Sequence, residues 1–422
     1  MTTQPTTALG SAGGSAAELD AADPLAAFTT RFEAAPGVLA YFDGNSLGRP
    51  VAGLAQRMEG FVRQDWGTRL IRGWDEGWMS LPERLGDRIG EVALGAAPGQ
   101  VVVADSTTVL LYKLLRALAD AQRAADPRRS EIVVDTDNFP TDRYLAEGIA
   151  AERSMRLRWV QADPDTGVHP EQVAEVVGER TAVVLLSHVA YRSGWVADGA
   201  AITALAHKAG ALVLWDLSHS AGSVPVQLDE WHADAAAGCC YKYLCGGPGA
   251  PAFGYLASRH HGWARQPVQG WMGRRDPFEM GPGYEPAPGI RGLISGTPPV
   301  VAMVPVQAGI ELLAEAGIGA VRAKSLALTD FAWATVESWP RELGVRIASP
   351  REHRHRGGHL TLRHDSFQDV LARLWADGVV PDFRHPDALR IGLSPLSTTF
   401  TEVQQGLERV RSALEEAEAS DG

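Results

Sequence analysis

The sequence predicts an α/β protein with a mostly parallel sheet covered by helices, followed by a smaller α+β domain. From about residue 60 to about residue 300, short β-branched runs alternate with longer helical stretches, which is the pattern of a parallel sheet with crossover helices. After about residue 300, a long helical stretch leads into alternating segments that are typical of half-buried strands. At 422 residues the chain is long enough for two such domains.

Individual segments justify these elements in chain order. Buried strands are predicted over 131–135, 181–187 and 211–216, and a crossover helix over 198–209 ends before Gly210. Further strands are predicted over 359–364 and 388–394. The expected organisation is a disordered leader over 1–25, an N-terminal segment over 26–59 that packs with the small domain, a large domain over 60–300 and a small C-terminal domain over 301–422.

Charge and hydropathy argue against several classes of function. A net charge of -12 and a pI near 5.5 disfavour nucleic-acid binding, which needs a basic surface. The sequence has no uncharged apolar stretch of the roughly 18 residues that a membrane span requires. The opening MTTQPTTALGSAGGSAAELD lacks the basic and apolar regions of a secretory signal. We therefore expect a cytoplasmic protein that binds neither nucleic acid nor a membrane.

Cysteine and histidine patterns do not indicate a metal site. Cys239, Cys240 and Cys245 lie too close together for a disulfide framework or a four-cysteine zinc site, and they fit a reducing compartment. The histidines at 353, 355 and 359 alternate with arginines and suggest a metal or anion site. Their position before a predicted strand favours a turn, so we predict no metal.

The most informative pair of residues is Asp216 and Lys242. Asp216 ends a predicted strand, and Lys242 follows in an apolar, glycine-rich segment where a solvated lysine is unusual. Alone, a strand-end aspartate is more often a cap and a lysine more often a surface residue. Together they match the needs of pyridoxal phosphate, which uses a lysine for covalent attachment and a carboxylate to keep its ring nitrogen protonated.

A phosphate cradle is predicted at DSTTVLLYKLL. Ser106, Thr107 and Thr108 precede an amphipathic helical run, and a helix start offers hydroxyls and free backbone amides to a phosphate. The alternative is a simple helix cap.

The resemblance to a known family rests on eight segments in order: YFDGNSLGRP, DSTTVLLYKLL, NFPTDRY, SHVAYRSG, DLSHSAG, YKYLCGGPG, QGWMG and ISGTPP. From about residue 40 onward the chain resembles kynureninase, a type I pyridoxal-phosphate enzyme related to class V aminotransferases. The resemblance implies a type I fold with a seven-stranded sheet and a large cofactor-binding domain over 60–300. It also implies a homodimer and the hydrolytic Cβ–Cγ cleavage of L-kynurenine to anthranilate and L-alanine in the kynurenine pathway.

The resemblance also implies residue roles. Lys242 carries the cofactor as a Schiff base, Asp216 meets the pyridine nitrogen, Tyr241 carries protons, and Arg390 holds the substrate's α-carboxylate. The implied cofactor contacts are Thr107, Thr108, Phe139, Asp142, Ser187, Asp216, His219, Tyr241, Lys242, Trp271 and Thr297. The implied substrate contacts are Arg390, Trp74, Gly296 and Thr297.

Three of these positions bear on substrate choice. Trp74, Gly296 and Thr297 match the residues of the bacterial branch that prefers L-kynurenine over its 3-hydroxy derivative. The branch that prefers the hydroxylated substrate has histidine in place of the tryptophan and Ser-Asn in place of Gly-Thr. The alternative for Trp74 is packing in a surface hairpin.

The sequence departs from the kynureninase pattern at one position, and two alternative functions are weighed against the resemblance. Kynureninases usually have Val-Asn after the threonines, whereas this chain has Val109 and Leu110, so packing beneath the phosphate loop is expected to differ slightly. A cysteine desulfurase or selenocysteine lyase shares the type I arrangement but usually needs a nucleophilic cysteine far from the lysine. A catalytically silent scaffold has no need for Lys242, Asp216 and Arg390 together.

Overall fold

The fold is known from a computed structural model that describes residues 14–421. The first half of the expected leader, residues 1–13, lies outside the described residues. The strands are β1 Ala40–Phe42, β2 Val101–Ala104, β3 Glu131–Asp135, β4 Arg156–Val160, β5 Thr181–Ser187, β6 Leu212–Asp216, β7 Ala235–Cys239, β8 Ala252–Leu256, β9 Arg346–Ile347, β10 His359–Arg363, β11 Val379–Arg384 and β12 Ala388–Gly392. The α-helices are α1 Ala16–Ala22, α2 Leu54–Gly60, α3 Leu81–Ile89, α4 Thr107–Ala125, α5 Pro140–Arg153, α6 Pro170–Val176, α7 Gly199–Lys208, α8 Val300–Ala316, α9 Ile318–Glu337, α10 Phe367–Ala376 and α11 Phe400–Asp421.

Seven strands form the large sheet in the order β2-β8-β7-β6-β5-β3-β4. All neighbouring strands run parallel except β8, which is antiparallel to both β2 and β7. The predicted mostly parallel seven-stranded sheet is therefore confirmed. The strands predicted near 131–135, 181–187 and 211–216 are β3, β5 and β6, and the predicted crossover helix is α7.

Helices cover both faces of the large sheet, which explains why its central strands are mostly apolar. Along β3, Val133 packs into one core, whereas Ile132 and Val134 pack into the other. Helices α4 and α5 close the second core, while α3, α6, α7 and α8 contribute to the first. Burying both faces favours the β-branched side chains that made these strands recognisable.

Five strands form the small sheet in the order β1-β11-β12-β10-β9. Strand β1 comes from the N-terminal segment and runs parallel to β11. The small sheet therefore contains strands from both the N-terminal and the C-terminal parts of the chain. Helices α9, α10 and α11 pack against the sheet around a separate core that includes Leu360, Leu389 and Leu407. The strands of the large sheet lie within residues 60–300, and those of the small sheet lie within residues 301–422, apart from β1 of the N-terminal segment. Helix α8 packs in a core of the large sheet, so the boundary near residue 300 stays a prediction.

Residues 14–25 differ from the expected disordered leader, because they contain helix α1, which packs against α11 beside the core of the small sheet. Ser15 caps α1 in a reciprocal capping box with Glu18. The carboxylate of Asp20 accepts the backbone N–H groups of Phe400 and Thr401 at the start of α11. The expectation of disorder is wrong for this stretch, and the Ser15-x-x-Glu18 pattern was the available signal.

Crossing a membrane requires a helix that is both long and apolar. None of the described helices alone meets both requirements, whereas α8 and α9 do so as a pair that bends by 86°.

Candidate active site

A cleft at the carboxyl ends of β3, β5, β6 and β7 collects most of the predicted residues. Loops that leave neighbouring parallel strands meet at this edge, which is where open α/β sheets bind ligands. The cleft has about 520 Å³ of space outside protein atoms. It is lined by Thr107, Thr108, Phe139, Thr141, Asp142, Ser187, Val189, Tyr191, Asp216, Ser218, His219, Tyr241 and Lys242.

Lys242 lies in the loop after β7, and its side chain is buried against His219. Lys242 Nζ is 3.0 Å from His219 Nε2. Burial and the charge of Lys242 hold the pKa of His219 well below its usual range. His219 is therefore neutral, and its Nε2 can accept a hydrogen bond from the protonated amine of Lys242.

Asp216 ends β6 with its carboxylate oriented by the next turn. Its Oδ1 accepts hydrogen bonds from the backbone N and the Oγ of Ser218, at 2.8 and 2.6 Å. Burial raises the pKa of Asp216, while Ser218 and Lys242 oppose that rise. A buried carboxylate of this kind is stabilised as the anion when a cationic partner occupies the cleft.

Asp142 is a buried carboxyl whose surroundings suit a bound polar group. It lies in the first turn of α5 and is fully buried, yet neither carboxylate oxygen has a hydrogen-bond partner among the described residues. Burial raises its pKa well above the usual range, and the nearby carboxylates of Asp216 and Asp135 add to the effect. A ligand with polar and cationic groups would satisfy this carboxyl, so the cleft fits pyridoxal phosphate.

The start of α4 also lines the cleft. Thr107 and Thr108 form its first turn, where free backbone N–H groups and the helix dipole favour a phosphate. Ser106 is the cap, since its side chain accepts the N–H of Val109 at 3.5 Å. The cap interpretation holds for Ser106, and the two threonines line the cleft.

Aromatic residues border the lysine. The ring of Phe139 lies 6.0 Å from Lys242 Nζ and packs edge-on against Tyr191 at a centroid distance of 5.4 Å. Burial raises the pKa of Tyr241, so this phenol stays protonated at neutral pH. Tyr241 is thus suited to donate a proton rather than to act as a permanent base.

A glycine lets the N-terminal segment reach the lysine loop. Gly48 N donates to the carbonyl oxygen of Tyr241 at 2.9 Å. A Cβ at position 48 would lie 2.4 Å from the carbonyl oxygen of Lys242, so only glycine permits this approach. The segment DGNSLG therefore packs directly on the lysine loop.

Arg390 lies outside the cleft, next to a second cavity of about 300 Å³. It is 1% exposed on β12, and Ser46 and the carbonyl oxygen of Tyr191 accept its hydrogen bonds. Tyr191 lines the main cleft, so Arg390 is one residue away from it.

Besides Arg390, four predicted residues are not brought to the cleft of this chain. Trp271 is 41% exposed, and Gly296 and Thr297 are also exposed. Trp74 lines an open apolar groove of about 1060 Å³ together with Trp66, Trp78, Pro298 and Pro299. All four positions therefore lie on surfaces of the single chain.

The sequence interpretation missed several residues around the site. Tyr191 and Ser46 were present in quoted motifs but were not singled out. Asn138 was also missed, although Ser187 Oγ donates to its Oδ1 at 2.7 Å. His359 is buried near His219, with a ring-centroid distance of 5.8 Å. Residues 359–362 of β10 are all buried, so an alternating pattern does not reveal the burial of His359 or this neighbour.

Leu110, in place of the family's asparagine, points into the core below the cleft. It is fully buried and lies over Gly254, where an added Cβ would be 3.3 Å from Leu110 Cδ1. The substitution therefore changes core packing, and Leu110 is not among the residues that line the cleft.

The three interleaved histidines have separate neighbours. His353 pairs with Asp330 at 2.8 Å, and His355 stacks on Trp195 at a centroid distance of 4.0 Å. Within residues 14–421, no group of three or more potential metal ligands is found.

Solved structures share this fold at low sequence identity. An apo cysteine desulfurase from Thermococcus onnurineus NA1 aligns with a TM-score of 0.76 and 17% identity, covering 89% of this chain and 95% of that chain. A mutant of C-DES with glycine covalently linked to its pyridoxal-phosphate cofactor aligns with a TM-score of 0.77 and 19% identity, covering 88% and 96%. These similarities establish the type I fold.

Sequence relatives are much closer. The family model described as "Kynureninase C-terminal domain" matches residues 321–410. Kynureninase of Burkholderia pseudomallei strain 1106a is 42% identical over 400 residues, and that of Pseudomonas fluorescens is 42% identical over 401 residues; each alignment covers 94% of both chains. With this identity over nearly its whole length, the chain belongs to the kynureninase family.

Proposed function

We propose that this protein uses pyridoxal phosphate to hydrolyse the Cβ–Cγ bond of L-kynurenine, releasing anthranilate and L-alanine. The observation that carries the proposal is the cleft in which Lys242, Asp216 and the unpartnered Asp142 meet. Arg390 lies beside it as a carboxylate partner, and the 42% identity to kynureninases supports the same substrate.

The direct test uses purified protein with added pyridoxal phosphate and L-kynurenine. We expect the fluorescence of anthranilate to rise while L-alanine forms in equal amount. Absence of anthranilate with a cofactor-loaded protein would overturn the proposal.

Different residues of the cleft would hold different parts of the cofactor. Lys242 would attach it, Asp216 and Asp142 would face its ring, Phe139 would stack on the ring, and Thr107 and Thr108 would hold its phosphate. When bound, pyridoxal phosphate supplies an electron-accepting ring for the charge that develops at the substrate's α-carbon.

Proton handling falls to three side chains. Lys242 Nζ, once freed by the substrate's amine, can take the α-proton, and neutral His219 holds that amine in place. After water has added to the γ-carbonyl and the Cβ–Cγ bond breaks, the protonated phenol of Tyr241 can deliver a proton to Cβ. Arg390 would bind the α-carboxylate throughout.

The desulfurase alternative has no support from the cysteines. Cys239, Cys240 and Cys245 are all buried. Burial raises the pKa of Cys245 to about 12 and that of Cys240 well above its usual range. A desulfurase needs an accessible thiolate, which none of these side chains offers.

We further propose a cytoplasmic homodimer that shares its active sites. Trp271 and Thr297 are cofactor contacts in the family resemblance, yet both are exposed and outside the cleft of their own chain. Trp74 belongs to a groove whose exposed rim includes Trp66 and Val301. A second copy over this apolar surface would bury it and bring these residues to the partner's cleft.

Mixing inactive variants tests the shared site. Lys242→Ala and the double variant Trp271→Ala, Thr297→Ala should each be nearly inactive alone, because each damages a different half of every site. After co-refolding in equal amounts, random pairing leaves about one quarter of the sites intact. We expect about that fraction of the parent's anthranilate release, with a dimer mass by light scattering. No recovery in mixed dimers would contradict site sharing.

Substrate preference provides a second test. We expect kcat/KM to be higher for L-kynurenine than for 3-hydroxykynurenine, by no more than about 100-fold, because an apolar pocket rejects a hydroxyl only weakly. Trp74→His, Gly296→Ser and Thr297→Asn together should lower this ratio. An unchanged ratio in the triple variant, or a parent that prefers the hydroxylated substrate, would refute these positions as selectivity residues. Neither result would contradict the proposed role of pyridoxal phosphate.

A further inference from the structure

Arg390 is held by a carboxylate that no sequence pattern singled out. Asp382 on β11 lies directly opposite Arg390 on β12 in the antiparallel register. Arg390 Nε donates to Asp382 Oδ2 at 2.5 Å, and Nη2 donates to the same oxygen. The side chain of Asp382 is 15% exposed and that of Arg390 is 1% exposed, so the pair is largely desolvated.

The other donors of the guanidinium are nearly all engaged. An arginine has five N–H groups in a fixed plane. Asp382 accepts hydrogen bonds from Nε and from one N–H of Nη2. Ser46 Oγ accepts from Nη2 at 2.9 Å, and the carbonyl oxygen of Tyr191 accepts from Nη1 at 2.7 Å. Since a carboxylate binds arginine best through two parallel hydrogen bonds, an incoming one must use the edge formed by Nη1 and Nη2.

The ion pair also offsets part of the free-energy cost of burying the charge of Arg390. Burial disfavours the charge of Arg390 and lowers its pKa, whereas the charge of Asp382 opposes that effect. Asp382 Oδ2 additionally accepts a hydrogen bond from Arg384 Nε at 3.0 Å. Without Asp382, two neighbouring guanidinium groups would lose their shared counter-charge, and Arg390 would have no fixed partner on its Nε side.

We propose that Asp382 is a positioning residue for substrate binding: by occupying the Nε edge of Arg390, it directs the Nη1–Nη2 edge toward the substrate's α-carboxylate. This inference rests on the proposed role of Arg390 as the carboxylate partner. In the absence of substrate, Ser46 Oγ and the carbonyl oxygen of Tyr191 accept hydrogen bonds from Nη2 and Nη1. Rotation of the Ser46 side chain can free Nη2 for the substrate's carboxylate.

The experiment compares Asp382→Ala, Asp382→Asn, Arg390→Ala and the double variant Arg390→Ala, Asp382→Ala. Asp387→Ala is the matched control: Asp387 also pairs with an arginine beside the same cavity, Arg363, and its side chain is 20% exposed. All variants are assayed as holoenzymes with L-kynurenine. Kynuramine, which lacks the α-carboxylate, serves as a competitive inhibitor, and circular dichroism checks folding.

We expect Asp382→Ala to raise KM by about tenfold or more with kcat changed less than about threefold, the size expected when a charge-assisted contact is misdirected. Kynuramine inhibition and cofactor absorbance should stay at parent values. Asp382→Asn keeps an acceptor but loses the charge, so its KM should be intermediate. The double variant should bind no worse than Arg390→Ala, because Asp382 acts only through Arg390.

Two results would overturn the proposal. One is a parent-like KM in Asp382→Ala, or in Asp382→Asn should the alanine variant fail to fold. The other is an equal loss of affinity for kynuramine, which would indicate general damage. If Arg390→Ala itself leaves KM unchanged, the assignment of Arg390 fails and this proposal falls with it. If Arg390→Ala raises KM while both Asp382 variants do not, only the positioning role is refuted.

Discussion

Replacing Lys242 with alanine is expected to remove the visible absorbance of the bound cofactor and to abolish anthranilate release. The chain has four lysines, and only Lys242 lines the cleft. Lys113 and Lys324 are buried in ion pairs with Asp105 and Asp23, at 2.5 and 2.6 Å, and Lys208 is on the surface of α7. No other lysine can therefore make the covalent attachment.

Borohydride reduction followed by peptide mass analysis locates the attachment directly. We expect the reduced cofactor on the Lys242 peptide of the parent and no labelled peptide in Lys242→Ala. Lys208→Ala is the matched control and should keep the parent's spectrum and turnover. Normal steady-state turnover in Lys242→Ala, or label on another lysine, would refute the assignment.

The parts of the fold that could be predicted are those whose packing leaves a local pattern. Strands such as β3 and β5 are buried on both faces, so they consist of consecutive valine, isoleucine and leucine residues. Helix α7 carries both an aspartate cap, Asp198, and a terminating Gly210. In such segments the local signals agree with the tertiary structure.

The missed parts have weak or ambiguous local signals. Strand β7 is Ala-Ala-Ala-Gly-Cys, which has no β-branched residue and is a strand only because β6 and β8 flank it. Helix α1 was obscured by the small polar residues around it, although it is fixed by long-range contacts to α11. Residues 61–78 form irregular helical turns, with Leu70 at a φ of 52°, and no simple periodicity describes them.

The site was predictable where residues end strands or begin helices. Asp216 and Thr107 occupy such positions, and the parallel sheet brings them to one edge. Trp271 and Thr297 could not be placed in this way, because a contact across a proposed subunit interface leaves no periodic pattern in one chain. Asp382 was missed for another reason: a cross-strand partner depends on register, which the sequence of β11 alone does not specify.

Replacing Asp216 with alanine is expected to leave the protein folded but to lower kcat by more than about 100-fold, or roughly 2.7 kcal/mol of transition-state stabilisation. The carboxylate keeps the ring nitrogen of the cofactor protonated, and an unprotonated ring accepts electrons from the α-carbon poorly. Exchange of the α-proton of L-alanine in heavy water, followed by NMR, measures this step apart from bond cleavage. We expect that exchange to fall in parallel with kcat, and Asp216→Glu to be milder.

The structure also provides a variant that separates charge from capping. Asp216 Oδ1 accepts two hydrogen bonds from Ser218, and the side-chain oxygen of Asp216→Asn can accept both without carrying a negative charge. If the charge matters, Asp216→Asn should be as impaired as Asp216→Ala; if capping matters, it should resemble the parent. Asp135→Ala is the matched control, since Asp135 is a buried aspartate that ends β3 but does not line the cleft. Parent-like α-proton exchange in Asp216→Asn would show that Asp216 serves only the turn after β6.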